Sequence, residues 1–259
     1  NGICGASINF SNSSSDNCSG EIITQTAGLV SGSVFPVGTT INSFLVTDAS
    51  GNTASCSFSV TVLDNENPAI SCPSDITVNS DAGICAASVS YVAPLGTDNC
   101  TSTTIQTSGL ASGSNFAVGT TTNTFKVTDA SGNTATCSFT ITINDSELPQ
   151  ITCPGNQSSN NTIGTCGKVM TYTAPVGTDN CAGQTTTQTS GLASGATFPV
   201  GVTTNTFRVT DASGNTATCS FTITINDSEL PQITCPGNQT ASNTLGICGK
   251  IMTYTAPVG

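Results

Sequence analysis

The sequence returns on itself in register after about 81 residues, the distance from Cys72 to Cys153, and Cys235 marks the next return. Each of these cysteines precedes a proline, while Cys56, Cys137 and Cys219 each precede Ser-Phe. Residues 201–239 repeat residues 119–157 with only Thr120 replaced by Val202 and Lys126 by Arg208, which marks the copies as recent duplicates. Whatever one period folds into, its neighbours fold into as well.

One period reads as short strands. Between Thr134 and Ile143, Ala135, Cys137, Phe139, Ile141 and Ile143 alternate with Thr136, Ser138, Thr140 and Thr142, so one face is buried and the other wet. A second strand covers Thr124 to Thr128. Asp129-Ala130-Ser131-Gly132-Asn133 supplies a hairpin turn between the two, with Gly132 able to take positive φ. Further strands are expected at Ala69 to Val78, interrupted by Pro73, at Ile84 to Val92, Thr103 to Thr107 and Asn115 to Val118. Six or seven short strands per period predict an all-β fold of tandem β-sandwiches. Tyr91, Phe116, Phe125 and Phe139 recur as Tyr172, Phe198, Phe207 and Phe221, as core-filling residues would.

The register divides the chain into a partial repeat lacking its first strand (1–66), two complete repeats (67–147 and 148–229) and a second partial repeat holding first strands only (230–259). The opening NGIC matches Ala82 to Cys85, and the closing YTAPVG matches Tyr91 to Gly96, so both ends fall inside a repeat. A sandwich cut there leaves unpaired backbone and apolar surface, and further repeats are expected on both sides.

The residue inventory excludes several functions. Fifteen acidic residues against four basic ones give a net charge of -11, which disfavours nucleic acid and anionic lipid and favours cations. With no His, the Ser-His-Asp and Cys-His constellations are absent; with no Trp, the best sugar-stacking platform is too. Every acidic motif recurs from copy to copy, unlike a single active site, so no enzyme is expected. No stretch reaches the roughly 20 apolar residues that span a bilayer. Thirteen cysteines without a zinc-type CxxC pair read as a disulfide framework in an oxidising compartment.

The linked motifs P-x-I-x-C-P (Pro68 to Pro73), G-x-C (Gly83 to Cys85), T-D-N-C (Thr97 to Cys100), F-x-V-G-T-T (Phe116 to Thr121) and T-D-A-S-G-N-T-A-x-C-S-F (Thr128 to Phe139) resemble the hyalin repeat (HYR) family over the whole chain. The resemblance implies immunoglobulin-like sandwiches of extracellular adhesion proteins, with no catalytic activity. Similar Thr- and Asn-rich repeats occur in large surface adhesins of gliding Bacteroidota. The expected function is a structural or adhesive fibre or stalk at the cell surface, its partners being neighbouring repeats of the same longer chain, with self-association into fibres. The alternative is an array binding glycans or proteins through exposed Thr- and Ser-rich faces.

Four cysteines per repeat pair in three ways. The preferred scheme joins Cys72 with Cys137, and Cys153 with Cys219, as opening and closing strands that share an apolar face. It also joins Cys85 with Cys100, Cys4 with Cys18 and Cys166 with Cys181, although about eight residues of strand separate the levels of Cys85 and Cys100. Pairing Cys56 with Cys72 across the junction is the alternative.

The linkers around Asp64 and Glu66, and around Asp145 and Glu147, resemble the calcium-binding junctions of cadherins. In an immunoglobulin-like fold the loops carrying Asp98 and Asp129, or Asp179 and Asp211, lie at the same end. Each junction is thus expected to gather four carboxylates, with Ca²⁺ as the candidate cation. The competing expectation is that these Asp residues cap turns through backbone hydrogen bonds.

Overall fold

A computed structural model describes residues 2–257. The chain divides after Ser146 into two compact units. The first unit holds two sandwiches and the second holds one, all of them built of strands.

In the first sandwich, β1 (Gly5–Ser7), β2 (Ile22–Ala27), β3 (Val34–Pro36), β4 (Gly38–Thr47) and β5 (Thr53–Val62) form a two-stranded layer, β1-β3, and a three-stranded layer, β2-β4-β5. The second comprises β6 (Ile76–Asn79), β7 (Ala86–Val89), β8 (Ser102–Ser108), β9 (Ser114–Ala117), β10 (Gly119–Asp129) and β11 (Thr134–Asn144). Its layers are β6-β11-β10-β8 and β7-β9. In the other unit, β12 (Gln157–Asn160), β13 (Gly167–Val169), β14 (Thr185–Ser190), β15 (Thr197–Pro199), β16 (Gly201–Thr210) and β17 (Thr216–Asn226) repeat this plan as β12-β17-β16-β14 and β13-β15.

Period-two alternation builds the core. Phe139, Ile141 and Ile143 point inward from β11 and meet Phe125 of β10, Ala87 and Val89 of β7 and Phe116 of β9. Full burial of side chains this size contributes roughly 1.5–3 kcal/mol each. Tyr91 stands edge-on to Phe139 with ring centroids 5.0 Å apart, and Tyr172 meets Phe221 in the same way at 5.0 Å. In the first sandwich Phe10 takes this place, against Phe58 at 5.0 Å.

The hairpin expected after Thr128 forms as Thr128↔Thr134, with Gly132 at φ 93°. The strand expected from Ala69 to Val78 divides in two. Ala69 makes a single bridge to Thr97, and only Ile76 to Asn79 run as a strand, parallel to β11. Pro73 lies between them, without the N–H that continuous pairing requires.

Burial follows the opening segment, of which that strand is a part and whose Ile70, Cys72 and Ile76 pack against the core. In the first sandwich no strand among the described residues pairs with the second edge of β5, and Phe58 is 37% exposed. Its equivalents behind β6 and β12, Phe139 and Phe221, are 3% and 2% exposed. The first strands expected within 230–259 are likewise absent from residues 230–257. β6 and β12 each pair with the last strand of their own sandwich, and residues 230–257 have no such strand beside them among the described residues.

Candidate functional site

The junction acids divide by what their oxygens already accept. Asp129 Oδ1 accepts the backbone N–H groups of Ser131 (2.9 Å) and Asn133 (2.8 Å), and its Oδ2 accepts Asn133 Nδ2 (2.8 Å). Asp211 does the same with Ser213 and Asn215, and Asp48 with Ser50 and Asn52. Burial pushes the Asp129 and Asp211 carboxyls up. The Asn side chain and three backbone N–H groups outweigh it and hold both below the usual carboxylate range. These residues are turn caps, and the expectation that they point into a shared cation site is corrected.

Asp64 and Asp98 do converge. Their nearest oxygens and Cys100 Sγ all lie within 4.8 Å of one another. Asp98 Oδ2 accepts the Cys100 N–H at 2.9 Å, and Asp64 Oδ1 accepts the Glu66 N–H at 3.1 Å. Asn133 Nδ2 donates to the Asp64 carbonyl at 3.1 Å, which ties the linker to the capped hairpin turn. Glu66 is exposed and stands outside the pair. The expected four carboxylates therefore reduce to two, beside a sulfur that is oxidised.

At the corresponding acids further along, Asp145 is buried just after β11 in the first unit. In the second unit Asp179 Oδ2 accepts the Cys181 N–H at 3.0 Å, Asp211 caps its turn, and Glu147 is half-buried.

The cysteines depart from the preferred scheme. Cys72 bonds Cys137, and Cys153 bonds Cys219, each tying the segment before the parallel strand to the last strand of its own sandwich. Cys100 bonds Cys4 of the preceding sandwich, with Cα atoms 4.9 Å apart. The pairing of Cys85 with Cys100 is therefore wrong, as are those of Cys4 with Cys18 and Cys166 with Cys181. Cys18 and Cys166 are free and exposed, and so are Cys56, Cys235 and Cys248. Cys85 and Cys181 are both disulfide-bonded. The alternative bond from Cys56 to Cys72 is also absent.

Strand length explains the correction. The Val118 N–H donates to the Cys85 carbonyl at one end of the sandwich, and the Ala130 N–H donates to the Thr101 carbonyl at the other. Between Val118 and Ala130 runs the whole of β10, roughly 35 Å at about 3.3 Å per residue. Cys85 and Cys100 thus occupy opposite ends of one sandwich, far beyond the reach of a disulfide. Cys4 holds in the first sandwich the place of Cys85, at the end where the second begins. Asn99 Nδ2 adds a hydrogen bond across this junction to the Ile3 carbonyl, at 3.3 Å.

Sequence reasoning missed a buried polar lock. Asn123 is fully buried, and its Oδ1 accepts the Leu110 N–H (2.8 Å) and Gln106 Nε2 (3.1 Å). The Tyr91 hydroxyl donates to the Leu110 carbonyl at 2.6 Å. Gly109, at φ +86°, leaves the space that a Cβ would take from Asn123 Oδ1. Asn205 with Gln188 and Leu192, and Asn42 with Gln25 and Leu29, repeat the arrangement. Its signal in the sequence is a Gln four residues before a Leu, matched by an Asn in the long strand that follows.

The HYR domain family matches the chain three times, over residues 1–62, 63–143 and 144–225. Hyalin of the sea urchin Strongylocentrotus purpuratus is 35% identical over 99% of this chain and 22% of its own length. Hyalin of Lytechinus variegatus is 32% identical over 99% of this chain and 49% of its own length. The chain thus spans less than half of either relative. Among solved structures, Drosophila N-cadherin EC1-3 aligns with 87% of the chain and 94% of its own, at 15% identity and a TM-score of 0.34.

Proposed function

Because the chain belongs to the HYR domain family, we propose that it is a length of an extracellular structural and adhesive fibre, projecting from or coating a cell surface. HYR repeats are non-enzymatic structural modules, and this chain is one. The observation that carries the fibre reading is the Cys4–Cys100 bond, which joins successive sandwiches covalently in addition to the backbone. The narrower expectation, an adhesin of gliding Bacteroidota, rests on the Thr- and Asn-rich repeats alone, while the relatives matched over 99% of the chain are sea urchin hyalins. Antibody raised against the chain should label intact source cells and reduce their attachment. Labelling that requires permeabilisation would sink the reading.

The calcium expectation survives in reduced form as a proposal. Asp64 and Asp98 offer at most four of the six to eight oxygens that Ca²⁺ takes, which corresponds to the weak class of extracellular sites, about 10⁻⁴–10⁻³ M. Melting temperature should therefore respond to calcium only at millimolar levels, and Asp64→Asn with Asp98→Asn should abolish the response. A response at micromolar calcium would contradict the two-ligand reading.

A further inference from the structure

We propose that the Cys4–Cys100 disulfide is a tension bypass, carrying a pulling force from the first sandwich to the second without loading the fold of the first. The argument is topological. The bond closes a loop with a sequence separation of 96, and that loop contains every strand of the first sandwich, β1 to β5. Force arriving along the backbone at Cys4 crosses one S–S bond to Cys100, and residues 5–84, which hold every strand of the first sandwich, form a side loop through which no tension passes.

The placement of the cysteines fits this role. Cys100 stands where the second sandwich begins and Cys85 at its far end, beside Val118, so residues 85–100 run the length of the sandwich. Such a segment spans roughly 50 Å when fully extended, against the roughly 35 Å that β10 covers, so it tightens after roughly 15 Å of extension. Cys4 and Cys18 bracket the corresponding segment of the first sandwich. Cys85 is itself disulfide-bonded, so the second sandwich is gripped covalently at both ends of that segment. The Asn99–Ile3 hydrogen bond beside the disulfide holds the two sides in register. By contrast, Cys72–Cys137 and Cys153–Cys219 each lie inside one sandwich and carry nothing across a junction. The device concerns how load is borne, so it stands whether or not the fibre is adhesive.

Single-molecule stretching of the full chain tests it, with one handle on the N-terminus and the other on an azide-bearing residue at the exposed Thr101. The oxidised chain should not lengthen up to rupture of the tether. The Cys4→Ser, Cys100→Ser double variant should lengthen by about 300 Å, the reach of 96 residues of extended chain. If that variant fails to fold, the unsubstituted chain treated with a dithiol reductant provides the same comparison. Equal lengthening of oxidised and variant chains would overturn the proposal. So would resistance of both to the rupture force, since the fold alone would then bear the load.

Discussion

At the residue scale, two short-range devices recur in every repeat. The first is the buried Asn. Replacing Asn123 with Ala leaves the Leu110 N–H and Gln106 Nε2 without their buried acceptor, and such a loss costs about 1–3 kcal/mol per group. The denaturation midpoint of the second sandwich, followed by limited proteolysis, should fall accordingly, while that of the third, which keeps Asn205, should not. The second device is the capped turn. The Asp129 carboxyl is held below its ordinary range, so it binds protons less readily in the folded state than in the unfolded chain. Its contribution is therefore complete above the ordinary carboxylate pKa and disappears as pH falls through the depressed folded value. Stability measured from neutral to strongly acid pH should drop steeply only below that ordinary range. Asp129→Asn should flatten part of the drop.

At the element scale, the short parallel strand is the weak point of the second and third sandwiches. β6 has four residues and pairs only with β11, yet it accompanies the difference between a 3% exposed Phe139 and a 37% exposed Phe58. Four residues of pairing hold a strand poorly. The nearby Cys72–Cys137 bond compensates by fastening the chain just upstream to β11. Removing it with paired Ser substitutions should destabilise the second sandwich by about 2–4 kcal/mol and expose Phe139. Protease cleavage between Pro73 and Asn79 should then precede cleavage anywhere in β10 or β11. Cleavage in the long hairpin first would show that the strand needs no covalent fastening.

At the scale of the whole molecule, the bonding pattern makes a chemical prediction. Alkylation of the unreduced, folded chain should modify Cys18, Cys56, Cys166, Cys235 and Cys248, all of which are exposed and free. Digestion should release a disulfide-linked peptide containing Cys4 and Cys100. A linked peptide containing Cys85 and Cys100 in its place would restore the within-repeat scheme and remove the covalent junction.

The long hairpin at Asp129 and the inward aromatics were legible from residues alone, because alternation and turn chemistry act over a few neighbours; the strand expected from Ala69 to Val78 was not continuous, and that expected at Thr124 to Thr128 begins at Gly119. The family resemblance was legible for the same reason, its motifs being short and fixed in spacing. The junction was not. In a chain of near-identical copies, a G-x-C cysteine lies close in sequence to the D-N-C cysteine of its own repeat and 96 residues from that of the next, and periodicity alone favours neither. Only the length of β10 decides, by holding Cys85 and Cys100 at opposite ends of one sandwich and leaving Cys100 beside Cys4. The acids followed the same division. Their clustering near the linkers was visible in the sequence, but which of them face one another depended on the Asn133 side chain, which occupies Asp129 and reaches across to the backbone of Asp64.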